Sequence, residues 1–291
     1  MKTLPNKTIH VCWDIVFGCN LRCPYCFCGD KWEKLSSGNR FISADKWGRC
    51  WDKFFKKYGS ADITISGGEP FFYPDFMNIV RKISGRHKVG ICTNLSFDVE
   101  EFCRSASPEK VSVYPSFHPD LDDSLAGIMD FAGFYIGKIL YLEKKGFDST
   151  VSCVAYPPRL EYIEELKEMF DSRGVNFIIQ PFLGEYEGKK YPGAYNEREK
   201  TLLERIANIG RESLSFQLEG KPSKGRLCRA GQSYFRIHPD GSIFRCSYEP
   251  LSGNADNFIE GAYLLYDAPK KCAQEFCYCN DEFKYLLEDK K

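Results

Sequence analysis

From His10 to Pro181 the chain alternates short β-branched runs with longer amphipathic segments, and no other feature restricts its fold as tightly. Alternation of this kind is the pattern of repeated βα units around a parallel sheet. Six runs read as strands: His10–Phe17, Asp62–Ser66, Lys88–Thr93, Lys110–Ser116, Thr150–Tyr156 and Val175–Gln180. Between them, Ser43 reads as the N-cap of a helix to about Lys57, with Gly59 after it, and Pro74 opens a helix through Ile83. Further helices fit Val99–Arg104, Met129–Lys145 and Arg159–Ser172. Six units are too few to close an eight-stranded barrel, so the expectation is an α/β fold of partial, TIM-like (β/α)6 shape. Right-handed crossovers place the carboxyl ends of its strands on one rim.

After Pro181 the alternation stops. A Gly/Tyr-rich stretch, Gly184–Tyr195, precedes one polar helix, Glu197–Ile209, and then a cysteine-bearing tail. Within that tail Ser233–His238 and Ser242–Cys246 flank Pro239-Asp240-Gly241 and read as a β-hairpin. The organisation expected is a core over 1–182, a connection over 183–225 and a small cysteine-rich hairpin/helix extension over 226–291.

Lysine plus arginine equal aspartate plus glutamate at 40 each, so no field of either sign is available to draw in nucleic acid or an anionic membrane. Apolar runs such as Ile63–Ile65 and Val175–Ile179 fall far short of the roughly 20 residues a membrane span needs. The amino terminus lacks an apolar signal core. The reading is therefore a cytoplasmic protein with a small or neutral partner. Fourteen cysteines then need explaining, since that compartment disfavours disulfides. Cys19, Cys23 and Cys26 form a tight run with Cys28 just beyond, and Cys228, Cys246, Cys272, Cys277 and Cys279 follow in the tail. Cys12, Cys50, Cys92, Cys103 and Cys153 lie singly in apolar segments and read as buried filler.

The run Phe17-Gly-Cys-Asn-Leu-Arg-Cys-Pro-Tyr-Cys-Phe follows the first strand directly. Three thiolates leave one iron of a [4Fe–4S] cluster open to an outside ligand, whereas structural zinc sites and ordinary ferredoxin clusters take four protein ligands. Cys28 lies too close to Cys26 for the pair to serve one cluster readily. The second strand ends in Ser66-Gly67-Gly68-Glu69-Pro70, where glycines admit a ligand near the backbone and Glu69 can accept hydrogen bonds from an ammonium group.

C-x3-C-x2-C with Tyr25 before the last cysteine, followed by Gly-Gly-Glu-Pro, resembles the radical S-adenosylmethionine (SAM) superfamily. The resemblance implies that the open iron chelates SAM's methionine moiety. Reductive cleavage of SAM then gives a 5′-deoxyadenosyl radical that takes hydrogen from a substrate. It implies a catalytic role for Cys19, Cys23 and Cys26 and a SAM site made by Tyr25, Gly67, Gly68, Glu69, Pro70, Thr93, Asn94, Ser116 and Val154. It also implies an electron donor such as flavodoxin or ferredoxin. His118 is the one histidine on the rim and is available as acid, base or hydrogen-bond donor.

The tail resembles the opening half of the SPASM and twitch extensions: Cys228, a gap, then Gly241 and Cys246. Too few cysteines follow for two further clusters, so the resemblance implies one auxiliary [4Fe–4S] cluster held by Cys228 and Cys246 with two of Cys272, Cys277 and Cys279. Sulfur-only zinc remains the alternative. Substrates of such enzymes are small molecules or peptides. Only about nine residues precede the first strand, which turns the expectation toward a small-molecule dehydrogenase or mutase, with a ribosomal-peptide maturase second and a non-catalytic iron–sulfur or zinc protein third. For epimerase-type chemistry, Cys92 or Cys153 could return hydrogen to a substrate radical.

Overall fold

Trp13 at the middle of the first strand is completely buried, and its ring meets Trp47 at 4.5 Å and Trp51 at 5.5 Å on the helix that follows, the packing by which each βα unit covers the sheet. The computed structural model describes residues 8–119, 124–251, 256–278 and 283–287. In chain order the core elements are β1 (Ile9–Val16), α1 (Trp32–Ser36), α2 (Ala44–Tyr58), β2 (Ala61–Gly67), α3 (Phe76–Ser84), β3 (Lys88–Thr93), α4 (Val99–Ser105), β4 (Val111–Pro115), α5 (Leu125–Lys144), β5 (Val151–Ala155), α6 (Ile163–Ser172) and β6 (Phe177–Pro181). Ser43 caps α2 by accepting from the Lys46 N–H, and Gly59 ends it at φ +87°.

Strands β1 to β4 pair in parallel and in sequence. Parallel bridges Val113–Ser149 and Ser116–Ser152 carry the order on to β5, which pairs with β6. All six carboxyl ends therefore point the same way. Helix α5 is longer and more apolar than its sequence suggested, because Asp130 and Lys138 interrupt the run: over 20 residues it is long and apolar enough to cross a membrane. Its Ile128, Ala132, Tyr135, Ile136, Ile139 and Leu142 lie in the core.

Past β6 the expected single helix is two, α7 (Glu197–Ile206) and α8 (Arg211–Glu219), preceded by a hairpin of β7 (Gly184–Tyr186) and β8 (Lys189–Tyr191). The break falls where Asn208 and Gly210 take φ of +56° and +79°, which a helix cannot accommodate. The tail contributes β9 (Lys221–Pro222), β10 (Leu227–Cys228), β11 (Tyr234–Ile237), β12 (Ile243–Cys246), β13 (Glu249–Pro250), β14 (Lys270–Lys271) and β15 (Phe276–Cys277), with no α-helix among its described residues. The β11–β12 hairpin turns at Gly241 (φ +85°) as its Asp-Gly pair predicts. It does not stand apart from the core: β11 pairs in parallel with the free edge of β1, so β13-β12-β11-β1-β2-β3-β4 is one sheet. The buried Asp14 carboxylate ties the join, accepting from Arg236 at 3.0 Å and from the Ser66 hydroxyl at 2.7 Å.

Candidate active site

The loop after β1 turns tightly on itself through Cys26 N–H to Cys23 O (3.0 Å) and Gly29 N–H to Cys26 O (2.9 Å). These turns bring Cys19, Cys23 and Cys26 onto one wall of a cavity of about 370 Å³ at the carboxyl ends of the strands. Tyr25, Gly67, Gly68, Thr93, Asn94, Ser116 and Val154 line the same cavity, as do His118 and Gln180. Cys28 does not line it: its thiol is buried behind the loop. The donor set facing the cavity is thus three soft thiolate ligands, which suits an iron–sulfur cluster with one open iron. Among the described residues no three His, Cys, Asp or Glu side chains converge on a point where a single metal ion could sit.

The thiols differ in their surroundings. Burial pushes the Cys19 and Cys23 thiols up, while a hydrogen bond from Cys28 pulls Cys26 down to about 6. Cys28, donating that bond and buried, is pushed up. N–H groups also reach Cys19 Sγ, from Leu21 at 3.4 Å and from the Asn94 side chain at 3.8 Å.

The Gly-Gly-Glu-Pro segment lines the cavity with its glycines and also packs against the cysteine loop. A Cβ on Gly67 would lie 2.2 Å from the Val16 carbonyl oxygen, and one on Gly68 would lie 2.1 Å from that of Gly18. The close approach that demands glycine is therefore to the cysteine loop of the chain itself, sealed by Gly68 N–H to Val16 O (2.7 Å) and Glu69 N–H to Gly18 O (2.8 Å). Glu69 is fully buried and absent from the cavity wall. Its carboxylate accepts from the Thr93 hydroxyl (2.9 Å), the Asn94 N–H (2.8 Å) and the Phe71 N–H (3.3 Å). Burial pushes this carboxyl above the usual range against the pull of those donors. Glu69 thus fixes the Thr93-Asn94 edge of the cavity. Pro70 is buried in the short helical turn behind it and likewise does not line the cavity.

Of the five cysteines read as filler, Cys12, Cys50 and Cys153 are buried and Cys103 is half-buried, but Cys92 lines the cavity. Strand alternation gives the reason: on β5, Val154 faces the cavity and its neighbour Cys153 turns into the core. Of the two strand thiols considered as hydrogen donors, Cys92 lines the cavity and Cys153 is buried away from it. The Tyr25 hydroxyl bonds His118 Nδ1 at 2.9 Å. Burial, aided by the Arg159 charge, lowers His118 to about 4, so it is neutral at pH 7. Sequence reasoning missed the apolar mouth formed by Phe27, Trp32, Phe182 and Leu183, since loop hydrophobics carry no spacing signal.

Residues 13–115 match the radical SAM superfamily, the segment that holds the cysteine loop, the glycine pair and the Thr93-Asn94 edge. This segment is a radical SAM domain. The chain is 23% identical over 287 residues to an AdoMet-dependent heme synthase of Methanosarcina barkeri, covering 87% of this chain and 81% of that protein. It is 24% identical over 283 residues to the mycofactocin maturase MftC of Mycobacterium ulcerans, covering 89% and 72%. In fold it resembles SuiB of Streptococcus suis bound to S-adenosylmethionine, with a TM-score of 0.60 at 19% identity over 87% of this chain; the chain spans 64% of SuiB's length, under two thirds.

Four of the tail cysteines lie within the described residues and share one pocket. Cys228, Cys246, Cys272 and Cys277 line a small pocket of about 20 Å³. Cys279 lies outside the described residues. Cys12 of β1 packs in the same buried cluster as Cys228 and Cys246, a neighbour that the sequence did not reveal.

Proposed function

We propose that the enzyme holds a [4Fe–4S] cluster on Cys19, Cys23 and Cys26, binds SAM against Gly67, Gly68, Thr93, Asn94, Ser116 and Val154, and abstracts hydrogen from a substrate entering between Phe27 and Leu183. The observation that carries this reading is the shared cavity: three thiols and the carboxyl ends of β2 to β5 face one space, while Cys28 is turned away. When bound, the cluster and SAM supply one-electron cleavage of a sulfonium bond and a carbon radical at the nucleoside. The protein's own residues place these reactants. Glu69 locks Thr93 and Asn94, and the glycine pair presses β2 onto the cysteine loop. A flavodoxin- or ferredoxin-like partner supplies the electron.

We read the tail pocket as an auxiliary [4Fe–4S] site on Cys228, Cys246, Cys272 and Cys277, the partial barrel of six strands being extended on its β1 side by the hairpin that carries Cys246. Four protein thiolates leave no iron open, which suits accepting an electron from the substrate rather than binding it.

For the substrate, the wall of the cavity favours a peptide over a charged metabolite. Among the described residues that line it none is Asp, Glu, Lys or Arg, and His118 is neutral, so a charged group entering beside SAM would lose its water without gaining a partner. A residue within a peptide chain brings no charge of its own backbone. The resemblance to SuiB, whose structure with a precursor peptide shares this fold, accords with that choice.

The test is anaerobic reconstitution, reduction with dithionite and chromatography for 5′-deoxyadenosine in the presence of SAM. The expected result is SAM-dependent 5′-deoxyadenosine. Protein with an intact, reducible cluster and none of this product would sink the reading.

A further inference from the structure

Arg159 follows β5 and is the one arginine in the described chain with no exposed surface. Its guanidinium lies 4.4 Å from the centre of the Tyr25 ring, and Nη2 donates to the Pro119 carbonyl at 2.8 Å. Its buried Nε and Nη1 reach no carboxylate or carbonyl partner and face only the hydroxyl and thiol groups around it. The groups that face it are Tyr25, Cys153 and Tyr162, each kept in its neutral form by burial. A guanidinium taken out of water and surrounded by neutral groups is a standing cost unless negative charge lies close by. The nearest source is the cysteine loop, since the ring that Arg159 covers belongs to Tyr25, between Cys23 and Cys26 in that loop.

We propose that Arg159 is a positioning residue of the cysteine loop, a fixed positive charge that raises the reduction potential of the cluster bound there. This rests on the cluster assignment above. Three thiolates make that site negative, and reduction adds one further negative charge, so a buried cation behind the Tyr25 ring stabilises the reduced form more than the oxidised one. The electron comes from the external donor, and no bond to Arg159 is made or broken.

The experiment is a redox titration of reconstituted holoenzyme, followed by the electron paramagnetic resonance signal that SAM perturbs. Arg159→Met, which fills the space without charge, should lower the ratio of reduced to oxidised cluster about tenfold at a fixed ambient potential, about 59 mV for a one-electron couple. Arg159→Lys should hold the ratio within about twofold of the wild type. If Arg159→Met yields no folded holoenzyme, Arg159→Gln replaces it, and the same contrast with Arg159→Lys is required. Neutral variants with full iron content that titrate with the wild type overturn the inference and leave the cluster assignment standing. A wild-type signal that SAM does not perturb overturns both.

Discussion

The amino-terminal thiols come from one turn-rich loop, Cys19 to Cys26, and open onto a cavity of about 370 Å³, whereas the tail thiols come from separate segments and enclose about 20 Å³. Local turns preform the first site. The second depends on distant pairings: β10 with β14, β9 with β15, and the Cys272 N–H with Arg226 O at 2.9 Å. Closing such loops carries an entropic cost that the first site does not bear. A site built within one loop can be written in a short motif; a site assembled from distant segments is written in the tertiary fold.

The sharpest way to break this comparison is at Cys26. Cys26→Ala should remove about four irons per chain and lower 5′-deoxyadenosine formation by roughly a thousandfold or more. Cys28→Ala should keep the iron, because Cys28 only supports Cys26 through a hydrogen bond. If both variants lose iron equally, Cys28 is a ligand and the open-iron argument fails. At the other site, Cys246→Ala should lower iron from about eight to about four per chain while leaving 5′-deoxyadenosine formation within about tenfold. Elemental analysis finding zinc in the wild type in place of the second four irons would make the tail a zinc site.

The same contrast decides what the sequence made legible. All six core strands fall within two residues of their expected bounds, because burial of strand and helix faces imposes periods that a local reading detects. Two-residue strands such as β9, β10, β14 and β15 have no period to detect. Ten of the expected cavity residues line the cavity, since strand ends announce themselves. Glu69 was recognisable as important but not as a clamp on Thr93 and Asn94, a contact that crosses from β2 to β3. Arg159 was read as the first residue of a helix; its burial against Tyr25 follows from packing alone.

One glycine from each region sharpens the point on a smaller scale. A Cβ at Gly68 would meet a backbone carbonyl at 2.1 Å, and backbone cannot yield without moving the cysteine loop. At Gly241 the obstacles are the φ of +85° and the side chains of Asn257 and Ile259, which can shift. Gly68→Ala should therefore cost about 3 kcal/mol in urea unfolding and Gly241→Ala about 1–2 kcal/mol. The reverse order would mean that the loop against β2 is softer than the hairpin turn.

The smallest expected effect separates two histidines. His118 is held near 4 by burial and by Arg159, below its ordinary 6.5, whereas for His238 burial is opposed by Asp14 at 3.8 Å. A histidine with a depressed folded value binds a proton more readily once unfolded. Stability is thus complete above about pH 6.5 and falls as pH drops toward 4, with a slope of at most about 1.4 kcal/mol per pH unit from one proton. His118→Gln should flatten melting temperature against pH between about 5 and 6.5. His238→Gln should change that slope less, since Asp14 favours the charged ring. Equal slopes in the two variants would show that Arg159 and the covered ring of Tyr25 do not set the first cavity apart electrostatically from the tail.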